Sequence, residues 1–205
     1  MTIPAEATAA APAYRERLDG TLVDLARFRP EDVGDDYLGW MRDPEVTRFI
    51  QARFQRHDIA SLQRFVAGFD HRDTFIFAIH ARETGERIGT FTLRVDPVHR
   101  FSSIGYLIGA RAYWQGGYAL DACRTGLDFI FFERKVRRVF EPTTANHLAS
   151  NFNFKRLGFT LVATVPNLYW GGDRYQDATY WMLSVEEWAA QRGRPVPDIP
   201  TPDRP

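Results

Sequence analysis

Three apolar stretches follow one another in the chain, TFIFAIHA (74–81), RIGTFTLRV (87–95) and SSIGYLIG (102–109), joined only by RETGE and DPVHRF. Links this short and this rich in turn formers leave no room for a crossover, so the three stretches are predicted to pair antiparallel as a meander. Any fold open to this chain has to contain that sheet.

The residues after the third stretch narrow the choice. YWQGGYALDA (113–122) places two adjacent glycines before a helix predicted to run from Tyr118 to about Glu133. Ala119, Ala122, Cys123, Gly126, Leu127, Ile130 and Phe131 recur at helical spacing and form one apolar stripe that must lie on the sheet. The small residues in the stripe let the helix approach the strands closely. Upstream, TLVDLARF (21–28) alternates as a strand, and Pro30, Glu31 and Asp32 open a helix reaching Trp40 and Met41. DPEVTRFIQ (43–51) is predicted to begin a second helix, and DIASLQRFVAGF (58–69) a third, capped by Asp58. RRVFEPTT (137–144) reads as a further strand.

The folded domain is placed at 20–192. Residues 1–19 are rich in Ala, Pro and Glu, while 193–205 carry five prolines, and both are read as tails. Lys plus Arg and Asp plus Glu each number 26, so no global field recruits nucleic acid or an anionic membrane. The apolar runs are too short to span a bilayer, and the amino terminus lacks the pattern of a secretion signal, which points to a cytoplasmic location. Cys123 is the only cysteine, which rules out an internal disulfide and a cysteine-rich metal site.

A helix start offers bare N–H groups and the positive end of the helix dipole, and glycines at 116 and 117 leave that approach open. The stretch therefore reads either as a phosphate cradle or as a plain strand-to-helix turn. It is neither a Walker loop, which needs Gly-Lys followed by Ser or Thr, nor a dinucleotide fingerprint.

The spacing W-Q-G-G-Y-A after a strand ending in GYLIG resembles the acyl-CoA loop of the GCN5-related N-acetyltransferase (GNAT) superfamily, Arg/Gln-x-x-Gly-x-Gly/Ala. Gly117 and Ala119 match its fixed positions. Trp114, where Arg or Gln is usual, is similar to the RimJ/RimL-like branch of ribosomal-protein N-terminal acetyltransferases. ASNFNFKRLGF (149–159) resembles that branch's Ser-x-x-x-x-x-Lys-x-x-Gly-Phe pattern, with Ser150, Gly158 and Phe159 in register and Lys155 one place early. DDYLGWMRDPEVTRFI and WGGDRYQDATYWML are similar to its first helical pair and final strand, so the resemblance covers roughly 20–185.

The resemblance implies an α/β (α+β) fold: a mixed, mostly antiparallel sheet of about seven strands, splayed between the fourth and fifth and flanked by helices. It implies acetyl-CoA as acyl donor, without metal. The pantetheine arm would pair with residues 105–109, including Tyr106, Leu107 and Ile108. The pyrophosphate would rest on the amides of Gln115, Gly116, Gly117, Tyr118 and Ala119, with Asn151 as a further contact. The chemistry implied is direct attack of an amine on the thioester, with an N–H near Leu107 or Ile108 holding the oxyanion. Phe154 stands where many members place the Tyr that protonates the thiolate, leaving Ser150 as donor or as a helix cap. Ser103 stands where a Glu base is common, so the proton acceptor is sought among His99, His147 and Glu141. Cys123 is read as a buried structural thiol, and Asp121 as a complement to the helix dipole.

The acceptor, a small-molecule or peptide amine, would lie between the early helices and the last strands. Asp35, Asp36, Tyr37, Arg48, Tyr169, Trp170, Asp173 and Tyr175 are the residues placed to shape its site. The first helical pair is closer to transferases of nucleotide-linked amino sugars than to those of protein termini. A homodimer is compatible with the sequence. A second reading, a non-catalytic acyl-CoA sensor, rests on the missing Glu and Tyr.

Overall fold

The computed structural model describes residues 15–201. Eight strands form one sheet: β1 (Arg17–Asp19), β2 (Val23–Arg27), β3 (Thr74–Ala81), β4 (Arg87–Asp96), β5 (Phe101–Ile108), β6 (Arg138–Thr144), β7 (Thr160–Trp170) and β8 (Tyr175–Ser184). Their order is β1-β2-β3-β4-β5-β6-β8-β7. The β3–β4–β5 meander pairs antiparallel, as its short links require. β5 and β6 are parallel neighbours and pair at only two positions, Phe101 with Arg138 and Ser102 with Val139, before they part.

Among the described residues five α-helices flank the sheet: α1 (Asp35–Arg42), α2 (Ile59–Ala67), α3 (Tyr118–Asp128), α4 (Leu148–Arg156) and α5 (Val185–Arg192). Side-chain alternation along β3 divides the core between two faces. Phe75, Phe77 and Ile79 join the cluster under α3, α4 and α5, whereas Ile76 and Ala78 join Tyr37, Met41, Leu62 and Val66 of α1 and α2. β5 divides likewise: Ile104, Tyr106 and Ile108 face the α3–α4 side, and Leu107 packs toward α1 and α2.

Asp58 caps α2 by accepting the Ser61 N–H at 2.7 Å. The helix expected from Tyr118 to Glu133 is α3 continued by a π turn, Phe129–Glu133. Its small residues serve close packing, since a Cβ on Gly126 would fall 2.2 Å from Phe91 Cζ. Residues 43–50, by contrast, form turns rather than a second helix, and one 3₁₀ turn follows at Gln51–Phe54. The Asp43 side chain takes the Glu45 N–H and its carbonyl takes the Thr47 hydroxyl, local bonds that compete with helix. The sheet also begins before residue 20, because β1 lies in the stretch read as tail and brings the strand count to eight rather than about seven. The remainder of that stretch, 1–14, and the end of the other, 202–205, fall outside the described residues. Ile199, within the proline-rich stretch, packs on the main core. No helix among the described residues is long and apolar enough to cross a membrane.

Asp121 does more than complement a dipole. It is buried, and one carboxylate oxygen accepts the backbone N–H groups of Thr21, Leu22 and Val23 at 2.9, 2.7 and 3.0 Å. The carboxylate thereby fastens the β1–β2 turn to α3. Asp121→Ala orphans three amides and is expected to destabilise the fold by about 3 kcal/mol, read as a shifted urea midpoint.

Candidate active site

The gap between β5 and β6 starts where their ladder stops. Continuing the register would set Ile104 opposite Glu141, but the main chains have separated there, and the Glu141 carboxylate accepts the Ile104 N–H instead. Gly109 N–H bonds to Ile88 on β4, so strand alternation turns the amides of Tyr106 and Ile108 into the gap and that of Leu107 toward β4. An oxyanion donor near this point is therefore Ile108 or Tyr106 rather than Leu107. Trp114 Nε1 donates to the Ile108 carbonyl at 2.8 Å, which ties the loop before α3 to the strand edge.

Beside the gap lies a groove of about 640 Å³ whose walls include Tyr106, Ile108, Gln115, Ala119, His147 and Ser150. Gly116 and Gly117 both hold positive φ, 86° and 89°, immediately before α3, and no side chain caps that helix. Its first-turn amides thus lack an intrahelical acceptor. A Cβ at 117 would meet only Leu22 Cδ1 at 3.8 Å, so the backbone conformation, not crowding, demands glycine there. At 116 a Cβ would also press on the Tyr118 ring at 2.9 Å. The Tyr118 side chain turns away, with its hydroxyl donating to Glu83 at 2.5 Å.

Ser150, buried on α4, accepts a 3.3 Å hydrogen bond from the Tyr106 hydroxyl, which in turn accepts from Asn153 Nδ2 at 3.3 Å. Burial raises the Tyr106 pKa, so the phenol remains protonated and the Ser150 O–H is free to donate elsewhere. Phe154, in the position where a Tyr is usual, is packed against Phe159 and Trp181 in the core. The hydroxyl missing from 154 is present at Tyr106, on the facing strand. Only the strand assignment, which points 106 and 108 to one side, hints at this from sequence.

Glu141 is 5% exposed, and burial pushes its carboxyl well above the usual carboxylate range. It sits on β6 opposite Trp181 of β8, and its carboxyl accepts the Ile104 N–H across the gap. His147 stacks on Phe49 with ring centroids 4.2 Å apart, and burial lowers its pKa to about 4.

Several residues singled out by sequence do not reach this place. His99 is exposed in the β4–β5 turn, at the opposite end of β5 from Ile108. Asn151 is fully engaged within the protein: Nδ2 donates to the carbonyls of Thr144 and His147, and Oδ1 accepts from Thr179 and Trp181. It staples α4 to β6 and β8. Asp36 is clamped by Arg87 Nε and Nη2 at 2.8 and 2.5 Å, so it is not open to a substrate ammonium. Tyr37 is buried in the α1–α2 core, with its pKa raised to about 12 by burial, and borders a separate chamber described below. Trp170 and Tyr175 are an edge-to-face cross-strand pair, centroids 5.2 Å apart, at the turn of the β7–β8 hairpin, with Tyr169 one residue inward. That turn approaches the 43–57 segment, since a Cβ on Gly172 would lie 2.9 Å from Arg53 Nη2. No group of three His, Cys, Asp or Glu among the described residues is arranged to hold a metal.

A mostly antiparallel sheet parted at its one parallel neighbour, with an uncapped helix start at the mouth of the gap, is the architecture of an N-acetyltransferase. The family model of the acetyltransferase (GNAT) domain matches residues 23–160, and the chain belongs to this family. Similar solved structures include the ribosomal-protein alpha-N-acetyltransferase RimL in complex with coenzyme A, with TM-score 0.74 and 14% identity over 84% of this chain and 99% of that one. Mycobacterium smegmatis RimJ with a CoA disulfide gives 0.70 and 19% over 87% and 93%, and a Brucella melitensis GCN5-related N-acetyltransferase gives 0.73 and 17% over 89% and 84%. Comparison with curated protein sequences gives no match.

Glu141 and His147 pull stability in opposite directions. Glu141 has a folded pKa above its unfolded value, so its contribution is full below the unfolded value near 4.5 and is lost as pH rises through the folded one. Glu141→Gln keeps an oxygen for the Ile104 N–H and is expected to raise the Tm at pH 8 but not at pH 4.5. His147, lowered from 6.5 to about 4, contributes above 6.5 and loses that contribution as pH falls toward 4. His147→Gln should flatten the acid limb of a melting-temperature profile.

Proposed function

We propose that this acetyltransferase moves the acetyl group of acetyl-CoA to a primary amine by direct attack on the thioester, the acceptor being an amino sugar, another small-molecule amine or a protein N-terminus. The observation that carries the reading is the β5–β6 gap, with the Tyr106 and Ile108 amides directed into it and the glycine-led start of α3 at its mouth. The residues fit a CoA-type donor. Gly116 to Ala119 offer amides for its diphosphate, the β5 edge offers main-chain partners for its pantetheine arm, and the thioester supplies the activated acetyl group.

Within that arrangement the β5 amides stabilise the developing oxyanion. Ser150 gives a proton to the departing sulfur, with Tyr106 and Asn153 fixing the direction of its hydroxyl. Glu141 takes the amine proton. Its raised pKa makes it a stronger base than an ordinary carboxylate once ionised. These groups answer the absences at 103 and 154 that suggested a sensor.

The test is release of free thiol from acetyl-CoA against a panel of amino sugars, small amines and peptide amines. Absence of turnover with every acceptor, despite coenzyme binding, would favour the sensor. Ser150→Ala is expected to lower kcat roughly 10²-fold with little change in coenzyme affinity. Glu141→Gln should remove the ascending limb of the pH–rate profile. Gly117→Val forces a branched residue into left-handed backbone at about 1–2 kcal/mol and should weaken CoA binding roughly tenfold in calorimetry.

A further inference from the structure

Two further cavities adjoin the groove in series, the second lined by the exposed side chains of Arg42, Arg53 and Arg56. A chamber of about 390 Å³ on the α1–α2 face shares Ile50, Tyr106 and Leu107 with the groove and is floored by Thr90, Thr92 and Gly105. Beyond it, sharing Met41, Gln55, Arg56 and His57, lies a cavity of about 530 Å³. The outer cavity is lined by Arg42, Arg53 and Arg56 and by no carboxylate. It has no lining residue in common with the groove that holds Gln115 and Ala119, so these arginines are not at the diphosphate end.

None of the three forms an ion pair among the described residues. Arg42 donates Nε and Nη2 to the His57 carbonyl, and Arg53 donates Nη1 to the Arg48 carbonyl; both bonds aim the guanidinium groups without neutralising them. Of the nearby acids, Asp43 is paired with Arg111 and Asp36 with Arg87, Asp58 accepts the Ser61 N–H with only a coulombic influence from Arg42, and Glu45 lines the groove rather than this cavity. A site built for an ammonium group would show the reverse arrangement. Three guanidiniums that line one cavity, none of them in an ion pair among the described residues, suit a phosphate, whose oxygens accept forked N–H donors.

We infer that the acceptor carries a phosphate held by Arg42, Arg53 and Arg56, with its amine reaching past Leu107 to the gap; this rests on the acetyltransferase reading. The neutral middle of the acceptor occupies the inner chamber. Glucosamine 6-phosphate and glucosamine are the probes, titrated into CoA-saturated protein and assayed by thiol release, alongside a peptide with aspartates after its N-terminal residue.

The phosphorylated probe is expected to bind at least about tenfold more tightly than the parent sugar, and Arg53→Gln/Arg56→Gln should bring that ratio close to one. Affinity for CoA should stay at the wild-type value. Equal binding of the two sugars, a ratio indifferent to the double variant, a loss of CoA affinity in that variant, or preference for the acidic peptide would each overturn the proposal. Arginine-dependent binding of the phosphorylated sugar without turnover would uphold the anion site while removing the transferase assignment. Turnover without preference would do the opposite.

Discussion

Everything that this chain does chemically depends on two parallel strands failing to stay together. β5 and β6 meet for two residue pairs and then diverge, which would leave the β5 edge with unpaired amides in the middle of a sheet. An exposed edge of that kind costs free energy unless something satisfies it. Glu141 supplies a carboxylate to the first orphaned amide, Ile104, and Trp114 supplies an indole N–H to the carbonyl of Ile108. Between those two fixtures the strand edge at Tyr106 and Ile108 is open to a ligand main chain. The gap is thus bounded by protein groups at both ends.

The parts of the fold that follow from short-range patterns were legible in the sequence. The meander was written in strand length and link length, α2 in its Asp58 cap, and α3 in its stripe of small residues. β1 was not, because three residues between tail and turn have no periodicity, and its anchor is a carboxylate about a hundred positions later, Asp121. Residues 43–50 have helical composition but form turns, in which the Asp43 carboxylate takes the Glu45 N–H that a helix would leave for the backbone.

The site geometry divides in the same way. The positive φ of Gly116 and Gly117 and the uncapped start of α3 follow from local sequence, and Ser150 lies on the helix that its motif marks. The hydroxyl that orients Ser150 comes from Tyr106, 44 residues away, and no spacing rule connects them. The partners of Asn151 are hidden from sequence for the complementary reason: its amide looks available until the strands that engage it, β6 and β8, are placed beside it. Asp36, placed by sequence at the acceptor site, is paired with Arg87, and the cavity beyond α1 is lined by Arg42, Arg53 and Arg56.

Cys123 is not among the residues that line the groove, yet its position has a use. The thiol is the only one in the chain, it is fully buried under α3, and burial raises its pKa above that of a free cysteine. A thiol-specific reagent reaches it only when α3 lifts from the strands. Since α3 also carries the amides at the mouth of the gap, the labelling rate is a native clock for opening of that mouth, and its slowing by a bound molecule would measure how firmly the molecule clasps the helix to the sheet.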